Sequence, residues 1–278
     1  MDMKFEELFS HTFKALRQRI DEAAIQKQVD FMLPSMPMVE ACRADEFDFF
    51  QPWIELGRLS VEQMHHAAER YFLGKTKSGA NMFWMINDMH RPLDAMIDPD
   101  TWLSTLLKKR EPLLRSWRPT HCLFGLHLLC HTESTESTER ISHTDLKDLN
   151  HESIRGLNYS NYSNSFPVSL VESPVAAVIL SELYPNSIWL STVPNTYFTL
   201  DLLEPLRGRT IKVYPHTDAT LSNYLSWLDL ADMARQTYHL DITVSRTLED
   251  AASPSQKSRE IDILQYLYEL YSFNRKVP

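Results

Sequence analysis

Downstream of Pro167 the chain alternates short apolar runs with segments of helical length, and this alternation limits the fold more than any other feature. Residues 168–171, 187–192, 210–214 and 241–245 are short and rich in Val, Ile, Leu and Thr, as strands require. The spacing predicts helices over 175–183, 200–206, 222–237 and 258–271 between and after them. A helix between consecutive strands returns the chain to the same end of the sheet, so the strands are expected to pair in parallel. Such a sheet is ordinarily covered by helices on both faces. Ligands bind parallel sheets at the carboxyl ends of the strands. Those ends carry Glu172, Thr192, His216 with Asp218 and, a little further on, Asp250.

The preceding half follows a different pattern. Phe5, Leu8, Phe9, Phe13, Leu16, Ile20, Ala24 and Ile25 recur at helical spacing over 4–30, until the Pro34 and Pro37 stretch interrupts them. A second helix is expected over 45–57, with Pro52 near its start. Ser60, followed three residues later by Gln63, predicts a capping box for a helix ending near Arg70. The period then shortens: 81–87 and 91–97 read as two strands around an Asp88-Met89-His90 turn, a small β-hairpin. Residues 99–117 look helical, with a break at Pro112, and 122–130 form another apolar segment.

Residues 131–165 contain two low-complexity repeats, Thr132–Glu139 and Asn158–Asn164. Such segments bury too little apolar surface to offset the entropy of ordering them. The expected organisation is therefore a mainly helical region with a small β element over 1–130, a linker or insertion over 131–165, and an α/β domain over 166–278. The whole is α+β, with a mostly parallel four-stranded sheet flanked by helices in its last part.

Charge restricts the partners. With 28 basic and 37 acidic residues the net charge is −9, which disfavours a surface that grips duplex phosphates everywhere and leaves only a local basic patch for nucleic acid. The acidic amino terminus lacks the apolar core of a signal peptide, and no apolar run approaches bilayer length. Three cysteines, Cys42, Cys122 and Cys130, are too few for a disulfide scaffold. A cytoplasmic protein without membrane contact is expected.

The placement of acids after the strands resembles the Toprim fold of bacterial primases, topoisomerases and some nucleases. In that fold a glutamate follows the first strand and an Asp-x-Asp follows a later one. Val171-Glu172-Ser173 matches the first element, and Tyr214-Pro215-His216-Thr217-Asp218 stands where the second belongs. A wider resemblance, over residues 45–270, is to a Toprim-like family encoded by bacterial mobile elements. It is carried by Phe83-Trp84-Met85-Ile86-Asn87, by the 121–129 segment, by 171–176, by Ile188-Trp189-Leu190-Ser191 and by Tyr214-Pro215-His216. Three departures matter. Pro174 and Val175 replace a Glu-Lys pair, Val193 and Pro194 replace a glycine pair, and His216 replaces the first Asp.

The resemblance implies Glu172 as a vestigial general acid or base, with Asp218, His216 and Asp250 as metal ligands and Asp262 in support. It implies Mg²⁺ or Mn²⁺, held weakly because imidazole is a poor ligand for Mg²⁺. Arg207, Arg209 and Lys212 are the groove donors expected to meet nucleic acid. The function it implies is a degenerate, noncatalytic module that associates with nucleic acid or with a protein partner. The alternative is a working metal-dependent phosphotransfer enzyme or nuclease using Glu172 and Asp218. A third reading makes the sheet a scaffold for an interaction through the amino-terminal helices.

Other motifs weigh less. His121, Cys122, His127, Cys130 and His131 form a dense set of nitrogen and sulfur donors, but their spacing fits no standard zinc pattern and the segment is apolar, which favours core packing. Gly74-Lys75-Thr76 imitates the end of a phosphate-binding loop, but Glu69 stands where the first glycine is needed. His65, His66 and Glu69 read as a solvated helix face, and Trp84, Trp102, Trp117, Trp189 and Trp227 as core or interface aromatics.

Overall fold

The computed structural model describes residues 26–30, 32–97, 101–129, 166–192 and 198–274. The low-complexity stretch over 131–165, most of the expected 4–30 helix, and Cys130, His131, Val193 and Pro194 lie outside the described residues.

Helices α1 (Met36–Ala41), α2 (Gln51–Glu55) and α3 (Val61–Arg70) lead into an antiparallel sheet. The predicted capping box is formed in full: Gln63 N donates to Ser60 Oγ at 3.2 Å and Ser60 N to Gln63 Oε1 at 3.1 Å. Strands β1 (Gly74–Lys75), β2 (Asn81–Ile86), β3 (Pro92–Ile97) and β4 (Thr101–Trp102) pair in that order. The hairpin turn is held by Asn87 Oδ1, which accepts from Met89 N and Arg91 N. Helix α4 (Leu103–Arg110) is shorter than the 99–117 segment suggested, because β4 takes its first residues and Pro112 starts a separate 3-10 turn.

The second sheet contains β5 (Val168–Val171), β6 (Ile188–Ser191), β7 (Thr210–Val213) and β8 (Asp241–Val244). Its order is β6-β5-β7-β8 and every pair is parallel. Helix α5 (Pro174–Leu183) connects β5 to β6, a 3-10 helix (Leu200–Leu206) leads to β7, and α6 (Ser222–Tyr238) connects β7 to β8. The sheet is not covered evenly. All of β5 is buried, whereas Thr210 and Lys212 on β7 and Asp241 and Thr243 on β8 are exposed. Those strands alternate polar and apolar residues, so only one of their faces can enter the core.

The end of the chain departs from the single helix expected over 258–271. It forms α7 (Thr247–Ala251), α8 (Pro254–Ser258) and α9 (Ile263–Asn274), with Glu260 in the left-handed region at φ 52° between the last two. Two reciprocal caps cause the break. Ser253 pairs with Gln256, and Asp262 N and Oδ1 pair with Gln265 Oε1 and N. The loop between α8 and α9 then docks on the third strand's loop, where Thr217 N donates to Ile261 O at 2.9 Å.

One apolar cluster runs from Phe47 and Trp53 through Phe83 and Phe124 to Val168, Leu190, Ile211 and Leu264. Polar contacts join the two sheets across it. Phe124 exchanges two backbone hydrogen bonds with Ser191 on the outer edge of β6, at 2.8 and 3.1 Å. Tyr71 Oη donates to Trp189 O at 2.7 Å. Glu182 on α5 accepts from the His66 ring at 2.9 Å and lies 3.8 Å from Arg70. Among the described residues no helix is long and apolar enough to cross a membrane.

Gly125 follows the Phe124 bridge with φ +83°, and a Cβ there would lie 3.0 Å from Tyr71 Cε1 and 3.1 Å from Leu190 Cδ2. Left-handed strain and overpacking add at this position. Gly125→Ala is expected to lower stability by about 2–4 kcal/mol in urea unfolding. The exposed Gly57→Ala, also at positive φ but with nothing within 4 Å, is expected to cost only the backbone share.

Candidate functional site

In a parallel sheet of order β6-β5-β7-β8 the connections leave β5 and β7 in opposite directions, so a crevice opens between their carboxyl ends. Glu172 follows β5 and His216 follows β7, and the fold brings them together there. Glu172 Oε2 pairs with His216 Nδ1. Its other oxygen, Oε1, accepts from Asn223 Nδ2 at 3.0 Å and from Trp227 Nε1 at 2.5 Å. Asn223 and Trp227 lie four residues apart on α6 and so share a face. The Asn223 amide also donates to His216 O at 3.0 Å, which fixes the loop to the helix.

Asp218 has a different role. Its Oδ1 accepts from Thr220 N, Thr220 Oγ1 and Ser222 N, and its Oδ2 accepts from Asn223 N at 2.7 Å. It therefore caps the amino terminus of α6, where backbone amides lack partners of their own. The cap encloses Leu221, which is held in the left-handed region at φ 64°.

The electrostatics follow from these contacts. Burial works against ionised Glu172, but the His216, Asn223 and Trp227 donors outweigh it and hold the carboxyl below its ordinary value. The hydrogen bond to Glu172 raises His216 above 6.5 against the opposing effect of burial, with Glu260 and Asp218 adding to the rise. Burial likewise opposes ionisation of Asp218, and its Thr220, Asn223 and Ser222 donors carry it well below the usual carboxylate range. Asp262 is pushed up, chiefly by burial and further by the Glu172 charge. The site is thus an imidazole–carboxylate pair whose charges are mutually favoured, in the field of Asp218, Glu260 and Asp262.

The other expected ligands are placed elsewhere. Asp250 is exposed on α7 and paired with Arg246 at 2.8 Å, whereas Asp262 is electrostatically coupled to the site. Arg207 and Arg209 precede β7, at the end of the strand away from Glu172 and His216. Arg207 pairs with Glu204 at 3.1 Å, Arg209 is buried, and Lys212 lies exposed within β7. Asn223 and Trp227 were absent from the sequence-level site. Their i, i+4 spacing just after the third strand's acidic loop was the available signal.

A Mg²⁺ ion keeps most of its waters and is held through one or two carboxylates that are open to it. All four oxygens of Glu172 and Asp218 already accept at least one hydrogen bond. As arranged, the pair does not fit a hard cation. Among the described residues no three His, Cys, Asp or Glu side chains are grouped to hold a metal. From the amino-terminal donor set, His127 Nε2 donates to Arg70 O at 3.0 Å, and burial lowers this histidine to about 4. His121 packs its ring on Trp102 at 4.8 Å. Burial pushes the Cys122 thiol up to about 12.

Residues 142–217 match a family described as a domain of unknown function, DUF6371. That stretch takes in β5, α5, β6 and β7 and ends just past His216, so it includes both halves of the pair. No curated protein and no solved structure matches the chain.

The His216 shift is upward and the Glu172 shift downward, so their mutual stabilisation is complete between the ordinary values of 4.5 and 6.5. It is lost as pH rises through the raised His216 value, and also as pH falls through the depressed Glu172 value. The stability difference between wild type and Glu172→Gln is expected to peak near about pH 5–6, at roughly 1–3 kcal/mol, and to shrink above it. Urea unfolding across pH measures this, and a flat difference would refute the ion pair. Cys122 is expected to resist alkylation at pH 8 in the folded protein and to react fully in denaturant.

Proposed function

We propose that this chain is a degenerate Toprim-like module of mobile-element origin that works by binding, in association with nucleic acid or a protein, and not by cleaving or forming phosphodiesters. The observation that carries the reading is the occupied state of the acidic pair. Glu172 is neutralised by His216 and tied by Asn223 and Trp227, and Asp218 is committed to the α6 amino terminus. Metal-dependent phosphoryl transfer needs carboxylates that hold a cation against the reacting oxygens. To serve a cation here, Glu172 would give up a half-buried pair with His216 and Asp218 would uncap a helix of 17 residues. The exchange of an acid for His216 favours the same reading, since it replaces a ligand with an internal counter-ion.

Calorimetric titration with Mg²⁺ and Mn²⁺ tests this directly. No saturable binding is expected at millimolar metal, for wild type or for Glu172→Ala/Asp218→Ala, and no nuclease or primer-synthesis activity. Saturable binding that disappears in the double variant, accompanied by metal-dependent turnover, would establish the phosphotransfer alternative instead.

A further inference from the structure

One face of the second sheet, covered over β5 and β6 but open over β7 and β8, carries a group of aromatic and basic side chains away from the Glu172–His216 pair. Trp189, Ser169, Lys212 and Thr243 stand in one register row across β6, β5, β7 and β8, and so share one face. Tyr214, two residues beyond Lys212, continues that face. Its ring stacks on Trp189 at 5.5 Å and 30°, and Lys212 Nζ lies 5.4 Å from its centre. Tyr184 follows at 6.3 Å from Trp189, and its hydroxyl meets that of Tyr271 at 3.1 Å. Arg58 covers the Tyr271 ring at 4.0 Å. The rings thus form a continuous run from β7 through α5 to α9, with a cation at each end.

Three features separate this run from ordinary core packing. Tyr184 is 40% exposed, and Tyr214 and Tyr271 are half-buried, so their rings are partly open to solvent. Arg58 and Lys212 are both exposed, and among the described residues neither makes an ion pair with a carboxylate. The direct strand partners of Lys212, Ser169 and Thr243, are neutral, and the acid diagonal to it on the same face, Asp241, accepts from Thr210 at 2.7 Å. In a chain of net charge −9, two uncompensated cations bracketing exposed aromatics are complementary to a partner with negative charges and flat apolar groups.

We propose that this face binds single-stranded nucleic acid, with Arg58 and Lys212 on phosphates and the exposed Tyr184 ring against a base, between the partly open Tyr214 and Tyr271. Stacking on aromatic side chains is tolerant of sequence, and a strand without a complement leaves its base faces free to stack. A duplex hides those faces and offers only its phosphates. The proposal rests on the binding-module reading above and names its partner and surface. It assigns nucleic acid to β7 and α9 and not to the Arg207 and Arg209 end of the strand.

Fluorescence anisotropy with a fluorescein-labelled oligodeoxythymidine of about 20 nucleotides tests it, in low salt with Mn²⁺ present. Arg58→Ala/Lys212→Ala is expected to weaken binding at least about tenfold, and Tyr184→Leu by about fivefold or more. The wild-type salt slope is expected to be roughly −1.4, as for two phosphates on a single strand. Arg207→Ala/Arg209→Ala and Glu172→Gln are expected to bind as wild type does. Thermal melts confirm that each variant is folded. Absence of wild-type binding, unchanged binding by the Arg58/Lys212 variant, or loss confined to the Arg207/Arg209 variant would overturn the proposal. So would binding of a polyglutamate peptide through the same two cations while the oligonucleotide fails, which would mark an acidic protein partner. Cleavage of the oligonucleotide in the same samples would instead overturn the noncatalytic reading and leave the surface assignment standing.

Discussion

Strand β5 is buried along its whole length and paired on both sides, to β6 and to β7. A parallel strand in that position has no local partner, because its neighbours are supplied by crossovers and its side chains by other elements. The arrangement therefore requires the amino-terminal half. Phe124 closes the outer edge of β6, Tyr71 reaches the Trp189 carbonyl, and α3 meets α5 through Glu182. The result is one apolar cluster containing residues from both sides of the 131–165 stretch.

The same strand sets the chemistry of the site. Glu172 leaves β5 at the edge of this packed core, where a bare carboxylate would be costly. The protein meets that cost with three side chains: an imidazole, an amide and an indole. An acid that needs this much compensation contributes to cohesion. It ties the ends of β5 and β7 and the first turns of α6 into one unit. Breaking the pair would forfeit that cohesion.

Much of this architecture was legible in the residues. The Ser60–Gln63 cap, the hairpin around Asp88-Met89-His90 and all four strands of the second sheet lie where local pattern placed them, because each is set by short-range hydrogen bonding or periodicity. Misreadings came where two local signals competed. The helix expected over 258–271 begins only at Ile263, because the short helix that Ser253–Gln256 starts ends at Ser258 and Asp262–Gln265 caps a new one. The face of β7 and β8 expected to be covered is open, although Thr210-Ile211-Lys212-Val213 already alternated. At the site, Glu172 and His216 are legible from their places after strands, whereas nothing local marks Asn223 and the pattern reads Trp227 only as a core or interface aromatic.

By itself the sequence determined the strands of the second sheet, their parallel sense, and the strand ends at which charged groups would gather. These depend on periodicity, caps and crossover length, which are properties of neighbouring residues. Only the tertiary structure decided which charged groups meet. Asp262 reaches the site and Asp250 does not, Asp218 turns inward as a cap, and Arg207 and Arg209 fall at the opposite end of their strand. Strand order and helix breaks place side chains far apart in sequence against one another. Three side-chain partners then hold Glu172, and the Thr220, Ser222 and Asn223 donors hold Asp218.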